Sequence, residues 1–316
     1  MTILGQGDCR YLITGEEWGD LPPGWIYRDA TAVAVDSKDN AVVFNRGGHP
    51  VIVFDKMGGF VRSFGEGVFS FPHGVAIGPD DEIYCVDAGD HTLRKFSSDG
   101  TLLLTIGVPG KPSSLMGGAP FNKPTHVSID YRDGSMYVSD GYSNAHVHKF
   151  SPDGKLMFSW GGSGTEPGLF NIVHNLAVGR DGRVYVADRE NRRIQIFDSE
   201  GKYLDQWNNL SRTGAVCLSP TEPQKVFIGE YFGGITSNAI GNNLGPRISI
   251  YTTSGELIER LGHRPIGDEP GQFFAPHGIA VDTEESIYVA EVPHGELGNP
   301  LMPSMQYRSL QKLTKC

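Results

Sequence analysis

Three histidines occupy the same position of a repeated sequence unit and occur in every second copy of it. Each lies two residues before an aliphatic residue that starts an apolar run; they are His73, His174 and His277. The matching positions of the other three copies hold Thr31, Thr125 and Gly214. Neutral imidazole nitrogens are good ligands for zinc, and three of them leave a fourth coordination position for water or substrate. The alternation therefore predicts a catalytic zinc site.

A second group of polar residues follows the acidic or amide residue that ends the second strand of a unit. In three units this stretch reads Asn45-Arg46, Asp188-Arg189 and Asp140-Gly141-Tyr142. Two guanidinium groups can bind a carboxylate, and a phenol can move a proton. Singly, such residues are more often solvated loop charges or packing contacts. Beside the histidines, they predict an active site that contains Arg46, Arg189 and Tyr142.

The units that position these residues are β-sheet repeats. One unit contains an apolar run (75–77), a β-rich run (83–87), an alternating run (93–96) and, after an Asp-Gly turn, a last strand (102–107). The copies begin at Val33, Val75, Val127, Leu176, Val216 and Ile279. A period of roughly 40 to 60 residues is typical of propeller blades, and no segment has a helical period. The predicted fold is all-β, a six-bladed β-propeller in a single domain over residues 1–316.

The two ends of the chain are expected to share the sixth blade. Its copy ends with a third strand at 309–313, so the fourth strand has to come from elsewhere. The alternating segment 10–14 fits, and an N-terminal strand paired there leaves no open sheet edge. In a six-bladed propeller the histidine positions lie about 120° apart on the face that also carries the loop after the second strand. The geometry allows the three imidazoles to share one ion.

Charge and composition exclude several classes of partner. The chain has 37 acidic and 27 basic residues, a formal net charge of −10, and lacks the basic surface that nucleic-acid binding needs. No apolar run approaches the roughly 20 residues that span a bilayer, and no secretory signal pattern is seen. The four cysteines have no CxxC spacing and favour free thiols. We expect a cytoplasmic protein with no nucleic-acid and no membrane partner.

Three stretches make the sequence resemble one family over nearly the whole chain: 138–144 (VSDGYSN), 186–195 (VADRENRRIQ) and 43–49 (VFNRGGH). It is similar to peptidyl-α-hydroxyglycine α-amidating lyase, a six-bladed propeller of NHL repeats. The resemblance implies that the three histidines match the zinc ligands of the family, and that Tyr142, Arg46 and Arg189 match its active-site tyrosine and arginines. The family site and the constellation found from the residues coincide.

The sequence departs from the family at its calcium site and its disulfides. The resemblance implies a Ca²⁺ bound by the backbone carbonyls of Val33 and Val75 and by an aspartate after the third histidine, where this chain has Gly278. Calcium prefers several hard oxygen ligands, so loss of the carboxylate should weaken the site considerably. Ser143 and the Phe121-Asn122 pair also stand where animal members have cysteines.

The resemblance implies cleavage of the N–C bond of an N-substituted α-hydroxyglycine to an amide and glyoxylate. Animal members work beside a copper monooxygenase that makes this substrate, and the sequence contains no such domain. The substrate therefore need not be a peptide. We expect a peptide or a small molecule that bears a carboxylate, and a small hydroxyglycine such as ureidoglycolate is an alternative. A non-catalytic NHL propeller that serves as an interaction platform also stays open. A lactone hydrolase fits less well, because propeller lactonases rely on carboxylate ligands rather than alternating histidines.

Overall fold

The repeats form six antiparallel sheets. The computed structural model describes residues 2–13, 18–233, 244–262, 266–297 and 307–316, and in them nearly all regular structure is β-strand. Each repeat supplies the strands of one sheet, with neighbours along the chain also neighbours in the sheet. The predicted all-β, six-bladed β-propeller of NHL-type repeats is confirmed.

The strands follow one another in a regular order. The N-terminal segment forms β1 (Ile3–Leu4) and β2 (Tyr11–Ile13). Blade 1 contains β3 (Ala30–Val35), β4 (Ala41–Asn45), β5 (Val51–Phe54) and β6 (Phe60–Phe64). Blade 2 contains β7 (Pro72–Ile77), β8 (Ile83–Asp87), β9 (Thr92–Phe96) and β10 (Leu102–Ile106). Blade 3 contains β11 (His126–Ile129), β12 (Met136–Asp140), β13 (His146–Phe150) and β14 (Leu156–Gly161).

The remaining three blades repeat this pattern. Blade 4 contains β15 (Val173–Val178), β16 (Val184–Asp188), β17 (Arg193–Phe197) and β18 (Tyr203–Trp207). Blade 5 contains β19 (Arg212–Leu218), β20 (Lys225–Tyr231), β21 (Arg247–Thr252) and β22 (Leu257–Leu261). Blade 6 contains β23 (Pro276–Val281), β24 (Ile287–Glu291) and β25 (Leu310–Lys315).

The N-terminal strand completes the sheet of blade 6, as the sequence predicted. Strand β2 pairs with β25, with Tyr11 opposite Lys315 and Ile13 opposite Leu313. Strand β1 then adds a fifth strand outside β2, which the sequence did not predict. One short helix, which the sequence did not predict, follows β24: α1 (Pro293–Leu297). No helix in the described ranges is long and apolar enough to cross a membrane.

Burial explains the composition of the strands. In blade 2 all five residues of β8 are buried, whereas every residue of β10 is exposed or half-buried. Strands covered on both faces need continuous apolar sequence, and the outermost strand does not. The turns between strands use residues that tolerate a positive φ, as Gly100 does at 92°.

The chain divides into two compact units, one of residues 1–64 with 217–316 and one of residues 65–216. The second unit contains blades 2, 3 and 4, and its cores lie between neighbouring blades, around residues such as Met136 and Phe197. In the first unit a core around Phe54 and Tyr288 joins blades 1 and 6. The prediction of a single domain over 1–316 stays a prediction.

Candidate functional site

Each of the three histidines is the extra residue of a β-bulge. In blade 2 the ladder between β7 and β8 passes from Pro72 to Gly74 and skips His73. The same register shift skips His174 in blade 4 and His277 in blade 6. A bulge bends its strand and re-aims the side chain of the extra residue. The histidine position is therefore set by a backbone irregularity, which blade 1 also has at Thr31.

Two of the histidines are oriented by the matching position of the next blade. The Nδ1 atom of His73 lies 2.5 Å from the carbonyl oxygen of Thr125, and that of His174 lies 2.6 Å from the carbonyl oxygen of Gly214. A carbonyl oxygen only accepts, so Nδ1 carries the proton, and in a neutral ring the lone pair is on Nε2. Both side chains are buried. Metal-binding histidines are typically held in this way.

The third histidine repeats the contact within the other unit. The Nδ1 atom of His277 lies 2.5 Å from the carbonyl oxygen of Thr31, which is the matching position of blade 1. The side chain is buried, and its ring centre lies 6.1 Å from that of Tyr231. His277 thus also presents Nε2 as its ligand atom. These three buried histidines could bind a metal ion.

Tyr142 lies directly against two of the imidazoles. Its hydroxyl oxygen is 2.9 Å from Nε2 of His73 and 3.1 Å from Nε2 of His174, and the two imidazole centres are 5.0 Å apart. Because both Nδ1 atoms are protonated, both Nε2 atoms offer a lone pair beside the Tyr142 hydroxyl. This donor set fits a metal of the kind that imidazole prefers.

Arg189 lies beside Tyr142 and is held by a carboxylate. Its guanidinium carbon is 5.7 Å from the centre of the Tyr142 ring, and its Nε donates to Glu190 Oε1 over 2.8 Å. Glu190 also accepts from Arg212 Nη2 over 2.8 Å. Burial alone would raise the pKa of Glu190, but Arg212 and Arg189 outweigh it and hold the pKa below its ordinary value. Glu190 is therefore ionised at neutral pH.

Arg46 is also paired with a carboxylate. Its Nη1 lies 3.2 Å from Asp29 Oδ2, and both side chains are largely buried. The other oxygen of Asp29 accepts from the backbone N–H of His294, at the start of α1. Burial raises the pKa of Asp29, and Arg46 opposes that rise. Asp29 thus contacts both a predicted active-site arginine and the start of helix α1.

The predicted site residues fall into two local groups. His73, His174, Tyr142 and Arg189 lie together in the unit of residues 65–216. In the other unit the short segment 29–31 contacts Arg46 through a carboxylate and His277 through a carbonyl. The sequence did not indicate the residues that hold these side chains: Asp29, Glu190, Arg212 and the backbone carbonyls of Thr31, Thr125 and Gly214. A charged residue next to an arginine was the only available signal, and it is weak.

The position of the family's calcium aspartate has no room for a side chain. A Cβ added at Gly278 would lie 2.6 Å from the Cα of Ala32 and 3.1 Å from the carbonyl oxygen of Thr31. Val33 and Val75 are both buried on the inner strands β3 and β7. Their backbone carbonyls would lack the carboxylate that a calcium site usually has. The residues present do not fit the family's calcium site.

Comparisons with known proteins support the repeat architecture. The NHL repeat family model matches residues 69–96 and 170–197. Peptidylglycine alpha-amidating monooxygenase of Rattus norvegicus is 29% identical over 92% of this chain, and peptidyl-alpha-hydroxyglycine alpha-amidating lyase 1 of Drosophila melanogaster is 30% identical over 79%. A solved streptogramin B lyase covers 89% of this chain and 78% of its own with a TM-score of 0.55, but at 16% identity it supports the fold alone.

The chain corresponds to only part of these relatives. It spans 32% of the rat protein and 47% of the Drosophila protein. Relatives named as peptidyl-alpha-hydroxyglycine alpha-amidating lyases match it over 79% and 64% of its length.

Proposed function

Because the chain is an NHL-repeat protein related to the peptidyl-α-hydroxyglycine α-amidating lyases, we propose that it is a zinc-dependent carbon–nitrogen lyase. Its substrate is an N-substituted α-hydroxyglycine, and its products are an amide and glyoxylate. The catalytic residues are Tyr142, Arg46 and Arg189, and the zinc ligands are His73, His174 and His277.

One observation carries the proposal. Tyr142 places its hydroxyl within 2.9 and 3.1 Å of the Nε2 atoms of His73 and His174, whose Nδ1 atoms are both committed to carbonyl groups. His277 repeats the bulge and the Nδ1 contact in a third alternate blade. The six-bladed repeat then supports one ion shared by three neutral imidazoles. That ligand set favours zinc over calcium or magnesium.

Tyr142 is the candidate for moving the proton. A zinc ion held by the histidines would lower the pKa of a substrate hydroxyl group. Tyr142 in its phenolate form accepts the hydroxyl proton, since its oxygen lies at the imidazole Nε2 atoms where that hydroxyl would be bound. The positive charge of Arg189, 5.7 Å from the ring centre, stabilises negative charge on the phenol oxygen.

The arginines bind the carboxylate of the substrate. A planar guanidinium group matches a carboxylate in shape and in the direction of its donors. Both Arg46 and Arg189 are held by their own carboxylate partners, Asp29 and Glu190, and this restricts their rotation. Restricting a binding group before the substrate arrives lowers the entropy cost of forming the reactive complex.

The reaction conserves atoms and needs no co-reactant. The hydroxyl loses its proton, its oxygen forms the aldehyde C=O of glyoxylate, and the C–N electron pair leaves with nitrogen. The nitrogen takes up a proton and becomes the neutral amide. A peptide and a small hydroxyglycine such as ureidoglycolate share the reacting N–C(OH)–COO⁻ core, so both belong to the proposed substrate class.

The test is release of glyoxylate by the purified protein. An N-acyl-α-hydroxyglycine and ureidoglycolate are assayed side by side, and the bound metal is measured in the same preparation. We expect glyoxylate from at least one substrate and zinc in the protein. A zinc-loaded protein that releases no glyoxylate from either would exclude the lyase. A protein with neither metal nor activity would favour the interaction platform.

A further inference from the structure

Glu190 joins two arginines that come from different parts of the chain. It accepts from Arg189 Nε over 2.8 Å and from Arg212 Nη2 over 2.8 Å. Arg189 follows β16 in blade 4, whereas Arg212 begins β19 in blade 5. Adjacent residues such as Arg189 and Glu190 need not point together, so this contact reflects a specific arrangement. The carboxylate is shared, and 28% of its side-chain surface is exposed.

We propose that Glu190 and Arg212 are positioning residues. They hold the Arg189 side chain in the orientation in which its guanidinium group binds the carboxylate of the substrate. The inference rests on the proposed function, and it assigns roles to two residues outside the predicted site. It also distinguishes the two arginines, because Arg189 shares its carboxylate partner with Arg212, whereas Arg46 is paired with the buried Asp29.

Hydrogen bonds hold both the backbone and the side chain of Arg189. The N–H of Arg189 donates to the carbonyl of Ile172 over 3.1 Å, and the N–H of Glu190 donates to the carbonyl of Asn171 over 3.0 Å. The side chain is then turned by the Nε contact to Glu190, and its guanidinium carbon lies 5.7 Å from the Tyr142 ring centre.

Arg212 connects this arm to the histidine ligands. It lies two residues before Gly214, whose carbonyl oxygen accepts from Nδ1 of His174 over 2.6 Å. Glu190 therefore connects Arg189 to the beginning of β19, the strand whose Gly214 carbonyl orients His174. The same strand thus helps to position both the Arg189 guanidinium group and the His174 imidazole.

The net charge of this cluster allows two effects of Glu190 on ligand binding to be distinguished: its orientation of Arg189 and its effect on the attraction of an anion. Two guanidinium groups and one carboxylate leave a net charge of +1 in this cluster. Replacing Glu190 by Gln raises that charge to +2, which by itself should attract an anion more strongly. If Glu190 acts by holding Arg189 in place, the same change weakens binding. The two explanations predict opposite signs.

The experiment measures binding of an N-acylglycine, which has the amide and the carboxylate but no hydroxyl group and does not react. Calorimetry on the metal-loaded protein compares wild type, Glu190→Gln, Glu190→Asp and Glu82→Gln. Glu82 is the matched control, because it is a half-buried carboxylate paired with Lys95 over 2.6 Å in the same unit, in the turn between β7 and β8.

We expect Glu190→Gln to weaken binding roughly ten- to hundredfold, the range for a lost hydrogen bond to a charged group. Glu190→Asp, which keeps the charge but is one methylene shorter, should recover only part of it, and Glu82→Gln should bind as wild type does. With a hydroxyglycine substrate, Glu190→Gln should raise KM by a larger factor than it lowers kcat. Melting curves show whether each variant is folded.

Ligand binding and glyoxylate release test the positioning role and the lyase activity separately. If wild type releases glyoxylate but Glu190→Gln binds as tightly as Glu82→Gln, or more tightly, the positioning role is wrong and the lyase stands. If wild type binds the N-acylglycine and Glu190→Gln does not, but no glyoxylate forms, the lyase is wrong and the positioning role stands. If wild type neither binds nor turns over, both are wrong.

Discussion

The Nδ1 atom of His174 lies 2.6 Å from the carbonyl oxygen of Gly214, so a residue of blade 4 is oriented by the matching residue of blade 5. His73 has the same relation to Thr125. The positions without a histidine are thus part of the site through their backbone. A side chain there is not needed for this role, which explains why threonine and glycine both occur.

Replacement of His174 by Ala should release the metal. The variant loses one of three Nε2 ligands, and the two that remain hold zinc far more weakly. Elemental analysis should fall from about one zinc per chain to a small fraction of that. His146→Gln is the control, because His146 is half-buried in blade 3 and contacts Asn144 instead. Full metal retention in His174→Ala, or calcium without zinc in wild type, would contradict the assignment.

Tyr142→Phe should lose turnover and keep the metal. The phenylalanine ring can still lie beside Arg189, but the hydroxyl that contacts the two Nε2 atoms is gone. General acid–base groups contribute about 10²- to 10⁴-fold, so glyoxylate release should fall at least about a hundredfold. Zinc content and melting temperature are measured on the same sample. A variant with near-normal turnover would show that another group moves the proton.

Gly278→Asp should destabilise the protein rather than create a calcium site. The new Cβ would lie 2.6 Å from the Cα of Ala32, and overpacking of this kind costs about 1–3 kcal/mol. Urea unfolding with and without calcium measures the effect. Gly48→Ala is the control, because a Cβ at Gly48 meets nothing within 4 Å. A Gly278→Asp variant that calcium stabilises would show that position 278 has room for a side chain that binds calcium.

Removal of residues 1–15 should strongly destabilise the fold. Tyr11 is buried opposite Lys315, whose ammonium lies 4.9 Å from the ring centre, and β2 supplies ladder hydrogen bonds to β25. The single change Tyr11→Ala should by itself cost about 3 kcal/mol or more. Ile3→Ala, at a position that is 46% exposed, should change little. An unchanged melting temperature after the truncation would count against a structural role of the N-terminal strand.

The contribution of Glu190 to stability should depend on pH only under acidic conditions. Burial raises its pKa, but Arg212 and Arg189 lower it more, so the folded pKa is below the ordinary value of 4.5. The stabilisation is then fully present above pH 4.5 and is lost as the pH falls through the folded pKa. The difference in unfolding free energy between wild type and Glu190→Gln, about 1 kcal/mol for a partly exposed pair, should be constant at neutral pH and shrink in acid. A difference that changes between neutral pH and pH 4.5 would be inconsistent with this pKa.

The sequence predicted features that repeat along the chain and missed those that depend on distant partners. The period and the alternation of turns identified six blades, and the N-terminal strand was found because blade 6 lacked its fourth strand. The bulge at His73 could not be seen, since one extra residue does not alter the apolar pattern of β7. The pairing of Arg46 with Asp29 joins residues 17 apart, and helix α1 has only five residues. The lack of space at Gly278 depends on Ala32, from the far end of the chain.

The contact between His277 and Thr31 joins the last blade to the first, so the histidine-bearing blades form pairs 2 with 3, 4 with 5, and 6 with 1. In the natural order of the chain, the third pair is split between the two ends. A circular permutant opened between β6 and β7, with the present termini joined, would encode each pair as one continuous segment. In the permuted sequence, the repeating unit of the histidine contacts is a pair of consecutive blades, and it occurs three times. The repeating unit of the backbone is a single blade, and it occurs six times.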